Sequence, residues 1–226
     1  MKKDLGAKPY VFPMPVLIIG SYSEDGTPDA MNAAWGTICD FDGIALYLSP
    51  SHKTVKNIKK RKAFTVAVAD EKHVAQCDYV GIVSANDDKD KMKKSGFVLG
   101  TSNRVDAPVI EDLPLTLECE LDYIDEKAEC VYGKIVNVLA DESILTDGKV
   151  DPTKLCPISY DPAGNGYFAM GKRAGAAFRD GLALKNEINL KYTASGNFRS
   201  PYPLRFFIGF ILFLPVRCRL SDRPCV

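Results

Sequence analysis

Between Leu113 and Ile124 the chain reads LPLTLECELDYI, with Leu115, Leu117, Cys119, Leu121 and Tyr123 alternating with Thr116, Glu118, Glu120 and Asp122. A period of two puts the first set on one face of an extended strand and the second on the other, the pattern of a half-buried antiparallel strand. After the polar turn DEKAE the run CVYGKIVNVLA returns, and the two segments predict a long hairpin. Shorter apolar runs come earlier. PVLIIGSYSEDGTP predicts a strand followed by a Glu-Asp-Gly turn, MNAAWGTIC a second strand, and IALYL and AFTVAVA two more.

Helical spacing is rarer. In TVKNIKKR, Thr54 to Arg61, Val55 and Ile58 share one face among lysines, and Ser51 is the expected N-cap. DDKDKMKKSG predicts a short charged helix ending at Gly96, and Lys172 to Leu184 a third helix with Ala174, Ala177, Phe178 and Leu182 as its apolar side. CDYVGIVSANDDKDK is expected to run extended before a turn, and His73, in DEKHVAQ, to lie on a loop surface. So few helices among so many strands predict a mainly β chain, a closed or nearly closed barrel with helical additions. A doubly wound sheet would need a helix after nearly every strand. GxGxxG and GxxxxGK[ST] are both absent from the sequence.

Composition changes this picture little, except at the end of the chain. The 226 residues, 46% hydrophobic and 26% charged, suit one substantial core. The formal net charge of zero combines a mildly acidic body with a basic end: residues 1–186 carry 23 Lys and Arg against 27 Asp and Glu, while 187–226 carry six basic residues against Glu187 and Asp222. An acidic body argues against a general affinity for nucleic acid. The end also holds FFIGFILFL, too short for a membrane span, which needs about 17 to 25 residues. Three readings of it stand open: an interfacial attachment, a buried or interfacial strand, or a segment foreign to the domain. The domain is therefore expected to occupy residues 1–186, with 187–226 as an atypical tail.

Seven cysteines without a CxxC pair, behind an opening MKKDLGAKPY that offers no long apolar stretch, predict reduced and mostly buried thiols in a cytoplasmic protein. With only His52 and His73 as imidazoles, no zinc site is expected.

The densest chemistry lies in SPSHKT. A strand end followed by Ser49, Ser51, Thr54 and the first amides of a helix brings hydroxyls, backbone donors and the helix's positive pole together, and Lys53 adds a charge. These are the parts of a phosphate site, although a simple cap at Ser51 beside a solvated Lys53 would look the same. In MNAAWGTIC, small residues beside Asn32 and Thr37 would let a flat ring approach the backbone, while Trp35 has the alternative of being a core aromatic.

Taken in order, PMPVLIIG, MNAAW, LSPSHKT, DYVGIVSANDDKDK with KKSGF, LPLTLECELDYI, YGKIVNVLADESIL, GKVDPTKLCPISYDP and YFAMGKRAGAAF resemble the flavin reductase-like family of FMN-binding split barrels, most of all its flavoredoxin branch, over roughly residues 9 to 186. The resemblance implies a split β-barrel and a homodimer with FMN bound near the subunit interface. It implies that Ser49, Ser51, Lys53 and Thr54 hold the phosphate and ribityl end, with His52 where relatives often have Arg. Asn32, Ala33, Ala34 and Trp35 would lie along the flavin, and Asp78, Gly81, Ser84 and Lys89 would complete the pocket. It further implies an oxidoreductase moving electrons or hydride between NAD(P)H, FMN and a flavin, protein or small-molecule acceptor. Alternatives are an electron-transfer flavoprotein reduced by a redox protein partner, and a flavin-binding barrel without turnover. Hydride transfer between stacked rings needs orientation rather than a general base, so no catalytic side chain is expected.

Overall fold

The computed structural model describes residues 1–184, and the FFIGFILFL segment, Cys218 and Cys225 lie outside the described residues. Two compact units divide the chain at Gly171. The first holds β1 (Met14–Pro15), β2 (Leu17–Tyr22), β3 (Pro28–Ala33), β4 (Gly36–Asp40), β5 (Gly43–Tyr47), α1 (Lys53–Arg61), β6 (Ala63–Val68), α2 (Val74–Ile82) and α3 (Lys91–Ser95). It continues through β7 (Leu99–Thr101), β8 (Pro108–Ile110), β9 (Leu115–Asp125), β10 (Cys130–Ala140), β11 (Leu145–Thr146), β12 (Lys149–Val150), α4 (Pro152–Leu155), β13 (Ile158–Asp161) and β14 (Gly166–Ala169).

Seven strands form one antiparallel sheet in the order β3-β2-β6-β9-β10-β5-β4. Its two edge strands, β3 and β4, are consecutive in the chain. Ala33 pairs with Leu17 at one edge and Gly36 with Leu46 at the other, with only Ala34 and Trp35 between them. Consecutive Cα atoms are about 3.8 Å apart, so so short a connection can join opposite edges only if the sheet curls round on itself. MNAAWGTIC is thus not one strand, as its composition suggests, but the seam of a split barrel.

β2 shows why VLII is a continuous apolar run rather than an alternating one. Leu17 and Ile19 pack with Ile44, Leu46, Phe64 and Val131 in one core, closed by Val55 and Ile58 of α1. Val16 and Ile18 pack on the other face with Cys77 and Val80 of α2, Met92 of α3 and Phe97. Ile58 is fully buried, and truncation to alanine would cost about 2 to 5 kcal/mol.

The long hairpin forms as expected, β9 against β10, with register shifts between Tyr132 and Gly133 and between Ile135 and Asn137. Its polar face does not stay in water. Thr116 and Glu118 are 2% and 1% exposed, and Ser102 of the 102–107 loop is bonded to Glu118. Ser102 Oγ and Asn137 Nδ2 each donate to Glu118, at 2.5 Å.

α1 buries Val55 and Ile58 as the spacing predicts, but it begins at Lys53, which makes His52 rather than Ser51 the N-cap. Gly96 closes α3 with φ 76°, as expected. The expected extended run at Cys77–Ser84 is wrong: it is mostly α2, whose Val74, Cys77 and Val80 recur at a helical spacing and pack on β3. His73 is not loop surface either. It ends a 3-10 turn, its ring Nδ1 lies 2.7 Å from Asp70 Oδ1, and Asp70 is buried.

In the second unit, Lys172–Gly181 is not the expected helix. Phe178 has φ 62°, and the Asp180 carboxylate accepts the Ala176 amide at 2.8 Å, which favours a turn between two glycines, Gly175 and Gly181. Among the described residues no helix is long and apolar enough to cross a membrane.

Candidate functional site

β5 leaves the sheet at Tyr47, and the chain turns through Ser49–His52 before α1 begins. His52 N donates to the Ser49 carbonyl at 3.0 Å, and Lys56 N donates to the His52 carbonyl at 3.3 Å, so the helical ladder starts at His52. The amides of Lys53, Thr54 and Val55 precede that ladder, and the His52 side chain makes no capping bond to them. Ser51, one residue too early to cap, instead shares a 3.0 Å hydrogen bond with the Ser49 hydroxyl. The result is a helix end with unspent donors and two hydroxyls beside it, a receptive place for an anion.

This end opens into a cavity of about 310 Å³ lined by Ser51, His52, Lys53 and Thr54, by Asp29 and Met31 of β3, by Val80–Asn86 and by Lys91 of α3. Lys53 Nζ reaches across to the Ala85 carbonyl at 3.4 Å. Thr54 is itself buried, and its hydroxyl is engaged by Asp29 Oδ2, another residue of the lining, at 3.5 Å, while its backbone amide stays outside the helical ladder. Lys91 Nζ stands 3.1 Å from Asp29 Oδ1, with both side chains almost wholly buried.

Of the residues named by the resemblance, Ser51, His52, Lys53, Thr54, Gly81 and Ser84 meet at this cavity, and Ser49 lies one hydrogen bond away. Lys89 lines an adjoining hollow of about 130 Å³ with Asp25, Lys53 and Lys91. Asn32, Ala33, Ala34, Trp35 and Asp78 line neither. Asn32 and Asp78 form a second polar cluster, where Asn32 Nδ2 donates to the Cys77 carbonyl at 3.0 Å and Tyr167 OH donates to Asp78 Oδ1 at 2.8 Å. Burial, and then that bond to Asp78, push the Tyr167 hydroxyl up to about 12. Ala33 belongs to the barrel core, while Trp35 is 56% exposed at the seam and is not a core aromatic.

Asp29, Met31 and Lys91 were not legible as site residues. Lys91 is one of four lysines in DKDKMKK, and only packing separates it from its exposed neighbours: it shares the buried side of α3 with Met92 and Ser95. Cys77 is buried beneath α2, and burial raises its thiol to about 12, which suits packing rather than redox work.

The donor set fits the phosphate end of a flavin mononucleotide. Uncapped amides, the Ser51 hydroxyl, Lys53 and Lys91 converge on a cavity at the lower end of the roughly 300 to 1,000 Å³ range of ligand pockets, with the Ser49 hydroxyl bonded to Ser51 behind them. Asn32 stands beside it, against Gly81.

The flavin reductase like domain family matches residues 10–158. The chain is similar to flavoredoxin of Desulfovibrio vulgaris (Miyazaki F), at 34% identity and a TM-score of 0.77, over 80% of this chain and 100% of that one. It is similar also to flavoredoxin from Methanosarcina acetivorans, at 26% identity and a TM-score of 0.75, over 81% of this chain and 99% of the other. An FMN-binding domain of a flavin reductases-like enzyme from Shewanella baltica shares the fold at 22% identity and a TM-score of 0.65, over 72% and 88% of the two chains. With a curled seven-stranded sheet, an uncapped helix end opening into a cavity, and a family match that spans most of the barrel, the chain belongs to the flavin reductase-like family of FMN-binding split barrels, in its flavoredoxin-like branch.

Proposed function

We propose that this protein is an FMN-dependent oxidoreductase that moves electrons or hydride between NAD(P)H and a flavin, protein or small-molecule acceptor. The observation that carries the reading is the uncapped start of α1, opening with Lys53 into the 310 Å³ cavity. When bound, FMN supplies a carrier of one or two electrons. The chain's own residues bind and orient it. The amides of Lys53, Thr54 and Val55, the hydroxyls of Ser49 and Ser51 and the ammonium of Lys53 hold the phosphate, while His52 flanks it. Ser84 and Gly81 form the opposite wall, and Lys89 adds positive charge at the adjoining hollow. Asn32, Ala34 and Trp35 offer a surface for the ring, to which Ala33, its side chain in the barrel core, adds backbone, with Asp78 fixed beside them by Tyr167.

The protein works as a homodimer in the cytoplasm in this reading, and residues 187–226 lie outside the flavin-binding domain. Support for the dimer comes from Trp35, Ile38, Phe41 and Tyr47, large apolar side chains left 49% to 90% exposed around the seam and β4–β5. A second reading, an electron-transfer flavoprotein reduced by a protein partner, is favoured by the 34% identity to a whole flavoredoxin.

Visible absorption of the purified protein and anaerobic titration with NADH and NADPH test the proposal. A yellow protein bleached by either nucleotide supports the reductase. Colour that neither nucleotide removes supports the electron-transfer reading. A colourless protein that takes up no added FMN overturns both.

A further inference from the structure

A second polar hollow, of about 180 Å³, lies where the ends of β6, β8 and β10 meet α4, and none of its lining residues lines the cavity at α1. Its frame is backbone: Glu71 N donates to the Cys156 carbonyl at 3.0 Å, and Asp141 N to the Pro114 carbonyl at 2.9 Å. Four carboxylates line it, Asp70, Glu111, Asp112 and Asp141, against two ammonium groups, Lys72 and Lys154. Three of the four are fixed by backbone amides. His73 N donates to Asp70 Oδ1 at 3.0 Å, Val98 N to Asp112 Oδ2 at 2.6 Å and Ser143 N to Asp141 Oδ1 at 2.7 Å. The lysines do not neutralise them: Lys154 Nζ donates to the Leu145 carbonyl at 2.6 Å, and among the described residues neither lysine forms an ion pair. Asp70 differs from the rest. Its side chain is 5% exposed, yet it lines the hollow, and among the described residues only its Oδ1 is bonded, to His73, whose ring Nδ1 lies 2.7 Å away. An unsatisfied buried acceptor costs about 1 to 3 kcal/mol or more, and a donor arriving at Oδ2 recovers that cost.

The geometry points to this hollow as a second binding site, for a small organic cation that carries a guanidinium group. It is separate from the flavin cavity and does not rest on the function proposed for it. With His73 neutral, four carboxylates against two ammonium groups leave the lining two charges negative, which favours a cation. A metal ion is the wrong shape: among the described residues no three acidic, histidine or cysteine groups stand close enough together to hold one. Guanidinium is a plane of five N–H donors and reaches acceptors that a single ion cannot bridge. It is also more weakly hydrated than an ammonium, so it gives up less on entering a half-enclosed site. The buried Asp70 accepts from it through Oδ2, Asp112 and Asp141 take other N–H groups, and the exposed Glu111 adds charge at the rim. A hollow of about 180 Å³ lies below the roughly 300 to 1,000 Å³ of drug-sized pockets, which limits the occupant to a short chain.

Calorimetric titration of the full chain with agmatine, a free alkylguanidinium, tests this, with and without saturating FMN. Agmatine should bind in both cases, since the two cavities share no lining residue. Asp70→Asn, which keeps the side chain's shape, should weaken it by about 10- to 100-fold through loss of a charged hydrogen bond. If Asp70→Asn does not fold, the double variant Glu111→Gln, Asp141→Asn alters only exposed side chains and should weaken agmatine by about tenfold. Putrescine, an alkylammonium, and tetramethylammonium, which has no N–H donor, should each bind at least about tenfold more weakly than agmatine. No binding of agmatine, equal binding of putrescine or tetramethylammonium, or an affinity that these substitutions leave unchanged overturns the assignment. Tighter binding of N-acetylarginine amide than of agmatine overturns the free ligand in favour of an arginine side chain on a partner. Loss of agmatine binding on addition of FMN also overturns it, because the cation would then occupy the flavin cavity beside Asp29. The flavin-free titration stands whether or not the chain binds FMN, so failure of the proposed function and failure of this site are separable.

Discussion

Gly81 of α2 lies against Asn32 of β3 with no room for a side chain: a Cβ there would stand 2.9 Å from the Asn32 Cβ. This contact sets α2 close to the sheet and brings the following Val83–Asn86 segment to the cavity wall. Alanine would favour the helix by about 1 kcal/mol, but overpacking costs about 1 to 3 kcal/mol. Gly81→Ala is therefore expected to lower the midpoint of denaturant unfolding, and an unchanged midpoint would show that α2 has slack at this point.

Tyr167 joins β14 to α2 through its bond to Asp78. Tyr167→Phe should cost about 1 kcal/mol near neutral pH. Because the folded hydroxyl titrates at about 12 against an ordinary 10.0, the native state holds the proton longer than the unfolded chain. The stability that this adds is complete below the unfolded value and is lost as pH rises through the folded one. The stability gap between wild type and Tyr167→Phe should hold at neutral pH and narrow between about pH 10 and 12, and a gap that widened there would refute the assignment.

Glu118 is an acceptor for two side chains and is closed to water. Glu118→Gln keeps the shape but turns a donor toward either Ser102 or Asn137, so one bond is lost. Unfolding in urea should show a loss of about 1 to 3 kcal/mol. The 102–107 loop should also exchange its amides faster in this variant, since Ser102 Oγ accepts the amides of Arg104 and Val105 at 2.9 Å.

Lys53→Ala should weaken FMN by about 1.5 to 3 kcal/mol and leave riboflavin nearly unchanged. Thr54→Val should cost FMN less than Lys53→Ala does, because it keeps the backbone amide and removes only a hydroxyl already engaged by Asp29. Titration of each variant with both flavins gives the comparison. A larger effect at Thr54 would place the phosphate nearer the floor.

Thiol labelling separates the cysteines. Cys39 is exposed, while Cys77 and Cys119 are buried and held up to about 12 by that burial. Iodoacetamide on the native protein near neutral pH should modify Cys39 and spare Cys77 and Cys119, as read by peptide mass spectrometry. Rapid labelling of Cys77 would show that α2 opens.

Where one element's own periodicity carried the information, the chain was legible. The β9–β10 hairpin, the buried Val55 and Ile58 of α1 and the Gly96 stop follow from spacing alone, because each depends on residues that are neighbours along one strand or helix turn. That Ser51–Thr54 stand together at the start of α1 was legible for the same reason. α2 was misread because its β-branched and glycine residues, YVGIV, look extended locally, while the Val74, Cys77 and Val80 face matters only once β3 lies beneath it.

By itself, then, the sequence determined the long hairpin, the strands β2, β5 and β6 and the first helix, all set by short-range pattern and hydrogen bonding. Only the tertiary structure decided that Trp35 stands exposed at the seam, that Glu118 is buried and that Lys91 rather than Lys89 reaches Asp29. Those outcomes depend on the sheet curling until β3 and β4 almost meet, a closure between strands far apart in pairing order that no local period encodes.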